Sequence, residues 1–473
     1  MRRKLALSLL LLGPGILTAA TAARAAVAKG PWVQRITPSS AVVRVEVDPP
    51  APASFELGAF SSATDGGPKK TILQSAEKRS VHSFVVDQLT PATRYTYAVR
   101  VGGESKYAAF TTAPREDSRD PFRFLIYGDN RTDDVTHAAI VRAMAPVGAD
   151  FLIHTGDFVE NGASSEQWKT FFQIEAPLLK ERCIFSCVGN HELTDGRGLP
   201  YLKYFGPRDF DPARADAAPP SLDELDGTFR WSNTRFFLLN GMVPYHAGAS
   251  REWLENALEN ADVEPGVVWR IVVVHHGPWS SGPHGNNPLF AQAGVANIFR
   301  RHKVDLVISG HDHIYERGFA NDMAYLVSGG GGAPVYKVKS RLPSTLKAES
   351  VHHFVEASVS EAAIRFTTTR VDGSTLERCA LRKSGGWDCD DPPSATPAAA
   401  FASATPLASS QAQPQAPSPP PSRCACNVVG AHDDPYRGVF LTALFCTGFV
   451  GLSARRKRRE ILGACASRPS RRC

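Results

Sequence analysis

Residues 304–317 of the chain read Val-Asp-Leu-Val-Ile-Ser-Gly-His-Asp-His-Ile-Tyr-Glu-Arg. The apolar run at 304–308 predicts a short buried strand that stops at Gly310. His311 and His313 then lie on the loop at the carboxyl end of that strand. Two imidazoles separated by one residue can reach two neighbouring metal ions, although such a pair in a loop can also be merely solvated. The metal interpretation therefore depends on whether other strands end in the same way.

The same arrangement occurs four more times upstream. Apolar segments that predict strands lie at 122–127, 150–155, 184–188 and 268–274, and they are followed by Asp129, Asp157, Asn190 and the pair His275 and His276. A helix begins after the first strand, capped by Thr132 or Asp133, and a helical segment is predicted at 288–301. Repeated strand, loop and helix predict a layered α/β domain at 116–390. Its polar residues collect beyond the carboxyl ends of the strands, where such sheets bind ligands.

An all-β domain is predicted before it, at residues 27–115. Alternating β-type patterns occur at 41–47, 83–86, 95–101 and 107–110, and turn residues separate them. This pattern predicts a small β-sandwich. The phrase Leu-Thr-Pro-Ala-Thr-Arg-Tyr-Thr-Tyr at 89–97 and the ending Phe-Thr-Thr-Ala-Pro at 110–114 resemble fibronectin type III domains. Such a fold by itself predicts no activity.

The strand ends together offer a set of metal ligands. The candidates are two carboxylates, an amide oxygen and three imidazoles: Asp129, Asp157, Asn190, His275, His311 and His313. Mixed oxygen and nitrogen ligands suit first-row metals better than Ca²⁺ or Mg²⁺. Two ions need a common ligand, and the carboxylate of Asp157 lies on the strand between the others. Two such ions lower the pKa of a shared water and stabilise the entering and leaving oxygens of a phosphoryl group.

Three further polar residues are candidates for contacts with a substrate. Arg131 has the guanidinium geometry that matches a phosphate, or it forms a surface salt bridge. His284 could donate a proton to the leaving oxygen, or it is an ordinary loop histidine. His276 could act in the same way as His284.

These blocks resemble the calcineurin-like metallophosphoesterases. Gly-Asp at 128–129 and 156–157, Gly-Asn-His-Glu at 189–192, the histidine after 272–274, and Gly-His-Asp-His at 310–313 are similar to the five signature blocks of that superfamily. The Tyr-Glu-Arg continuation and the preceding β-domain are most similar to purple acid phosphatases. The resemblance covers about residues 30–380 and implies two metal ions, which could be Fe, Zn or Mn.

The resemblance also implies a role for each ligand. Asp129, Asp157 and His313 would hold one ion, and Asp157, Asn190, His275 and His311 would hold the other. His191 would lie over the phosphate as an acid or as a charge stabiliser.

Three departures from the family pattern matter. Position 131 is Arg where many relatives have His and the purple enzymes have Gly, so one common ligand of the first metal is missing. Position 160 is Glu where the purple enzymes have the tyrosine that gives them their colour, so we expect no tyrosinate-to-iron absorption band. The resemblance leaves open whether His275 or His276 is the ligand, and counting back from Trp279 favours His275.

The ends of the chain predict export and anchoring. Residues 1–26 have a basic start, an apolar run and small residues near 23–25, which is the layout of a secretory signal peptide. Residues 391–423 are rich in Pro, Ala and Ser and predict a disordered linker. Residues 424–473 hold a short cysteine motif, an apolar run at 439–452 and a basic cluster. They resemble bacterial C-terminal sorting signals of the kind described in myxobacteria, and an unprocessed membrane anchor is the alternative.

Charge argues against nucleic acid as a partner. The net charge of +6 comes from the two ends, and residues 27–423 are mildly acidic. Export permits disulfides. Cys379 and Cys389 flank a turn as a hairpin pair would, and Cys183 with Cys187 could pair only if strand geometry brings them together.

The sequence as a whole therefore predicts an exported phosphatase, periplasmic or on the cell surface and anchored through its C-terminal segment. It would hydrolyse phosphomonoesters by attack of a metal-bound hydroxide on a phosphorylated small molecule or phosphoprotein. The alternatives are a phosphodiesterase or nucleotide hydrolase of the same superfamily, and a surface-binding protein with an inactive metal domain. The long loop at 195–226, rich in Gly, Pro and Asp, is expected beside the site.

Overall fold

A computed structural model of the protein describes residues 24–59, 71–206, 225–338 and 340–390. Most of the predicted signal peptide, the predicted linker at 391–423 and the C-terminal segment at 424–473 lie outside the described residues, as does most of the loop at 195–226. No helix within the described ranges is both long and apolar enough to cross a membrane.

The N-terminal domain is all-β, as its alternating pattern predicts. Its strands are β1 (Ala26–Gln34), β2 (Ala41–Ala59), β3 (Thr71–Val86), β4 (Arg94–Val101) and β5 (Glu104–Thr111). They pair antiparallel in the order β1-β2-β4-β5, and β3 also pairs with β2. The core holds stacked aromatic rings, among them Phe55 against Phe84 and Tyr97. The Tyr95 hydroxyl accepts a hydrogen bond from the Thr90 amide at 2.8 Å. The fibronectin likeness itself stays a prediction.

Two mixed sheets of seven strands form the second domain. The first has the order β19-β18-β17-β16-β6-β7-β8. Its strands are β6 (Phe122–Tyr127), β7 (Phe151–His154), β8 (Cys183–Ser186), β16 (His353–Val359), β17 (Ala363–Arg370), β18 (Thr375–Arg382) and β19 (Trp387–Asp390). The second has the order β15-β13-β14-β12-β11-β10-β9. Its strands are β9 (Gly227–Trp231), β10 (Thr234–Leu239), β11 (Trp269–Val274), β12 (Leu306–Ser309), β13 (Tyr315–Ala320), β14 (Met323–Ser328) and β15 (Thr345–Glu349).

Helices cover the outer face of each sheet. They are α1 (Asp134–Met144), α2 (Ser165–Leu179), α3 (Leu199–Phe205), α4 (Ala249–Val263), α5 (Pro288–Ala293) and α6 (Val295–Arg301). Strand β6 shows why both faces are apolar: Phe124 packs edge-on against Phe236 of the other sheet, whereas Leu125 joins the cluster under α1 and α2. Strands buried on both faces read as continuous apolar runs. The predicted layered α/β domain is therefore a four-layer stack of helices, sheet, sheet and helices.

The structure corrects two details of the sequence prediction and confirms a third. The helix predicted at 288–301 is two helices, because Gly294 adopts a left-handed conformation (φ 64°) that ends α5. The predicted Cys379–Cys389 disulfide is confirmed, and it joins β18 to β19. The second, conditional disulfide between Cys183 and Cys187 does not form, since both thiols are free and buried.

The all-β domain packs on the helical side of the α/β domain. Trp32 of β1 contacts Phe172 of α2 with ring centroids 4.9 Å apart. The Tyr97 hydroxyl donates a hydrogen bond to the Lys180 carbonyl at 2.6 Å. Glu46 of β2 forms an ion pair with Lys203 of α3 at 3.2 Å. These contacts fix α2 and α3 against the N-terminal domain.

Candidate metal centre

Loops at the carboxyl ends of parallel strands bring the predicted ligands together. Asp129 follows β6, Asp157 follows β7 and Asn190 follows β8 in one sheet, whereas His275 follows β11 and His311 follows β12 in the other. Three of these residues have positive φ: Asp129 (55°), Asp157 (57°) and His311 (68°). Such values are uncommon outside glycine and mark sites where the surrounding structure holds the backbone in place. The centre thus lies where the edges of the two sheets meet.

One group of ligands surrounds His275. Ligand atoms of Asp157, His275 and His311 all lie within 4.8 Å of one another. His275 Nε2 is 3.0 Å from Asn190 Oδ1, 3.3 Å from Asp157 Oδ1 and 3.1 Å from His311 Nδ1. The Thr155 carbonyl lies 2.8 Å from His275 Nδ1 and accepts its proton. That bond leaves a lone pair on Nε2, directed into the group, which is the form that binds a metal.

A second group shares Asp157 with the first. Ligand atoms of Asp129, Asp157 and His313 lie within 4.8 Å of one another. His313 Nε2 is 3.6 Å from Asp129 Oδ1, and its Nδ1 donates to the Pro334 carbonyl at 2.8 Å. Although His313 is only 2% exposed, its Nε2 has no hydrogen-bond partner among the described residues. A buried polar atom without a partner is costly, and a cation between Nε2 and the two carboxylates would satisfy it.

The electrostatic environment of the ligand residues also favours the binding of two cations. Burial and the neighbouring Asp157 charge raise the pKa of Asp129 well above its usual range. Burial opposes ionisation of Asp157 too, but His275, His191 and Arg131 hold its pKa below the ordinary value. Burial lowers the pKa of His313 to about 3, so its imidazole is neutral near pH 7. Neutral imidazoles with crowded carboxylates and an amide oxygen form a donor set for Fe, Zn or Mn ions.

Arg131 and His191 lie against the shared carboxylate. Arg131 Nε is 3.2 Å from Asp157 Oδ2, and its Nη1 pairs with Glu160. The His191 amide donates to Asp157 Oδ1 at 3.1 Å, and its Nδ1 donates to the Glu160 carbonyl at 2.7 Å. His191 Nε2 then lies 3.8 Å from Asp157 Oδ2. Both side chains thus border the second group of ligands.

The other two candidates pack beside His311 with tilted rings. The ring centroids of His276 and His284 lie 4.4 Å and 4.3 Å from that of His311. His276 Nε2 donates to the Gly285 carbonyl at 3.0 Å, and burial lowers the pKa of His276 to about 4. His275, not His276, therefore directs its lone pair into the ligand group. His276 contacts the loop that carries His284.

Sequence reasoning missed three residues of the centre. Glu192 is fully buried and accepts hydrogen bonds from the amides of Asp157, Phe158 and Gly189 at 2.8–2.9 Å. Its position in the Gly-Asn-His-Glu block was a signal. Asp312 was also missed, although its position between two ligand histidines was a similar signal. Tyr336 stacks on His313 at 4.1 Å. It follows a glycine-rich run without periodicity, so no sequence signal pointed to it.

Comparisons with known proteins identify a matching family model and several relatives. Residues 122–315 match the family model described as calcineurin-like phosphoesterase. An uncharacterized protein of Mycobacterium tuberculosis is 26% identical over 283 residues, which cover 51% of each chain. The probable purple acid phosphatase 20 of Arabidopsis thaliana is 25% identical over 245 residues, or 50% of this chain and 55% of that protein. The chain thus spans about half the length of these curated relatives.

Solved structures share the fold. A purple acid phosphatase from yellow lupin (Lupinus luteus) seeds aligns with a TM-score of 0.62 and 18% identity, covering 74% of each chain. The structure of PhoD aligns with a TM-score of 0.61 and 14% identity, covering 77% of this chain and 92% of that one. At these identities the similarity concerns the fold alone.

Proposed function

Residues 122–315 belong to the calcineurin-like phosphoesterase family, and on that premise we propose that the protein is a metal-dependent phosphatase that hydrolyses phosphomonoesters at a dinuclear centre. One observation carries the proposal: ligand atoms from six residues, spread over five strand ends, converge on two groups that share Asp157. Structural ion pairs rarely leave a buried imidazole nitrogen unpartnered, whereas a metal ligand must.

The residues divide between two ions. Asp129, Asp157 and His313 would hold one, and Asp157, Asn190, His275 and His311 would hold the other. When bound, the ions supply a water of lowered pKa and charge that stabilises the entering and leaving oxygens. Carbonyl acceptors on the Nδ1 atoms of His275 and His313 fix the tautomers that binding requires.

Other side chains act on the phosphoryl group. Arg131 presents a guanidinium beside the shared carboxylate and would bind a phosphate oxygen. His191 Nε2 faces the same region and would stabilise the negative charge there. His284, exposed beside His311, would give a proton to the leaving oxygen. A cavity of about 310 Å³ beside Arg131 and Glu160 has room for part of a substrate.

The preferred substrate class distinguishes this phosphatase from the alternative, a phosphodiesterase or nucleotide hydrolase. Full-length protein purified without chelators is assayed for metal content and for turnover of an aryl phosphate and of its bis-aryl diester. We expect two metal ions per chain and a higher kcat/KM for the monoester. A preference for the diester would favour the phosphodiesterase or nucleotide hydrolase. Metal binding without hydrolysis of either ester would favour the inactive surface-binding protein.

We also propose that the protein is exported and that its C-terminal segment attaches it to a membrane or the cell surface. Support comes from the leader-like residues 1–26, the apolar and basic segment after Cys424, and the Cys379–Cys389 disulfide. Disulfides persist in oxidising compartments. N-terminal sequencing of the mature protein and fractionation of producing cells test this. A retained leader and a cytosolic location would contradict it.

A further inference from the structure

A loop without regular secondary structure carries His284 to the metal centre. We call residues 280–285 the acid loop. The loop leaves β11 through His275, and its His284 ring centroid lies 4.3 Å from that of His311. An exposed side chain on such a loop samples many orientations unless the loop is fixed. Proton donation needs one orientation, so the contacts that fix this loop matter for the chemistry.

Asp312 fixes the distal half of the acid loop. Its carboxylate is 1% exposed and accepts hydrogen bonds from the amides of His284 at 3.0 Å and Gly285 at 3.2 Å. It also accepts the Ser280 hydroxyl. A Cβ at Gly282 would lie 2.2 Å from the Asp312 Cγ, so the loop closes directly around the carboxylate. Asp312 thus holds the backbone of His284 itself.

Glu316 fixes the proximal half. This carboxylate is fully buried on β13 and accepts the Ser281 amide at 2.6 Å and the Ser281 hydroxyl at 2.9 Å. The hydroxyls of Tyr325 and Thr345 donate to it at 2.9 and 2.7 Å. Four donors on one carboxylate leave it little freedom to move. Because Ser281 precedes His284 by three residues, Glu316 anchors the start of the loop as Asp312 anchors its end.

The same short segment supplies the metal ligands and both anchors. His311 and His313 face the metal centre, whereas Asp312 between them and Glu316 just after them face the acid loop. The neighbours of Glu316 point elsewhere, since Tyr315 and Arg317 both bond to Glu377 of β18. Residues 311–316 therefore connect the metal ligands to the contacts that hold the acid loop.

We propose that Asp312 and Glu316 are positioning residues that hold His284 where it can protonate the leaving oxygen, a role that rests on the proposed phosphatase function. Hydrolysis forms a P–O bond to the oxygen of water, which loses one proton to solvent, and breaks the bond between phosphorus and the leaving oxygen. That oxygen keeps the electron pair and takes a proton from His284, which regains one from solvent. The benefit grows with the basicity of the leaving group, because a basic alkoxide cannot leave unprotonated.

Substrates with different leaving groups test the proposal. Initial rates are measured for a nitrophenyl phosphate, whose leaving group needs little protonation, and for an alkyl phosphate, whose leaving group needs much. We expect Glu316→Gln to lower kcat about tenfold for the alkyl ester and less than about threefold for the nitrophenyl ester. His284→Ala should show the same selectivity with a larger loss, and the combined variant should lose no more than His284→Ala alone.

Glu377→Gln is the matched control. It removes a buried carboxylate that bonds to the same strand β13 but makes no contact with the acid loop. We expect it to affect the two esters equally. A Glu316→Gln variant that lost equal activity on both esters, as the control does, would overturn the positioning role.

Two measurements keep the test independent of activity and of folding. In metal-free protein, amide hydrogen exchange at 281–285 should be faster in Asp312→Asn and Glu316→Gln than in Glu377→Gln, by about tenfold or more. Ser281→Ala, a milder change, should show part of the leaving-group selectivity. Unchanged exchange in the loop would overturn the inference. If the wild-type protein hydrolyses neither ester, the proposed function fails, whereas the exchange result still decides whether the two carboxylates hold the loop.

Discussion

Replacing Arg131 with Gln should strengthen metal binding at one half of the centre. Arg131 Nε lies 3.2 Å from Asp157 Oδ2, the carboxylate that two ions would share. Its side chain is only 14% exposed, so water screens the contact poorly. The guanidinium therefore competes with a cation for this oxygen. The group made of Asp129, Asp157 and His313, which also lacks a ligand at position 131, should be the weaker half.

The magnitude follows from the contact that is removed. A hydrogen bond between charged groups contributes about 1.5–3 kcal/mol. An ion that no longer has to displace this contact should bind about 10- to 100-fold more tightly, since about 1.4 kcal/mol corresponds to a factor of ten. The other group should change less, because Asp157 meets His275 through Oδ1 rather than Oδ2. The variant should at the same time have a higher KM for aryl phosphate, since it loses a phosphate contact.

Titration calorimetry of metal-free full-length protein with Zn²⁺ or Mn²⁺ measures both sites. The wild type should bind one ion tightly and one weakly, and Arg131→Gln should raise the affinity of the weak site toward that of the tight site. Arg370→Gln is a matched control, because it removes a 3.0 Å ion pair with Glu349 in which none of the proposed ligands takes part. Unchanged affinity in Arg131→Gln, or weaker binding of either ion, would refute the reasoning and would mean that the guanidinium orients the carboxylate for the metals.

Three further outcomes are expected. Asp157→Asn should reduce the bound metal below two ions per chain, as measured by metal analysis. It should also lower kcat/KM for an aryl phosphate about 1000-fold or more. Full activity in this variant would contradict the shared-ligand role. Iron-loaded protein should show no tyrosinate-to-iron band in its visible spectrum, because position 160 is Glu, and such a band would show that another tyrosine binds the ion. Burial alone would raise the pKa of Glu46, but Lys203 and Lys29 hold it below the ordinary value. Glu46 therefore stabilises the fold at pH above its unfolded pKa of about 4.5, and this stabilisation, about 1 kcal/mol, disappears as pH falls through the folded pKa. The melting temperatures of wild type and Glu46→Gln should accordingly converge as pH falls from 6 to below 4.5.

Strand ends could be predicted because two local signals coincide there. Strand β6 is an apolar run buried on both faces, and Gly-Asp follows it at 128–129. A glycine after a buried strand marks the point where the chain must turn, and a carboxylate at that point is rarely needed for the core. The same signals mark Asp157, Asn190 and His311, so the sequence alone was sufficient to propose this ligand set.

Contacts between distant segments could not be predicted. The Glu316 carboxylate meets Ser281 across 35 residues, and nothing in either sequence neighbourhood specifies the partner. Tyr336 reaches His313 from a segment without strand or helix. Strands β13 to β17 were missed for a related reason: their pairing, which is antiparallel except between β12 and β14, is decided by register and by burial against the other sheet, which periodicity alone does not encode.

Two of the three departures from the family pattern, at positions 131 and 160, are neighbours in space. Arg131 and Glu160 stand at positions where the purple enzymes have Gly and Tyr, and here they form an ion pair that Thr132 supports through a 3.1 Å hydrogen bond to the same carboxylate. The Glu160 carbonyl in turn accepts the His191 ring proton at 2.7 Å. At these two positions the structure thus has an ion pair, and His191 is held from the same side by the backbone of Glu160 rather than by its carboxylate. Because the pair is neutral as a unit, removing Glu160 alone should leave Arg131 as an uncompensated cation beside Asp157, so the calorimetric titration should show weaker metal binding, whereas replacing both residues should not weaken it.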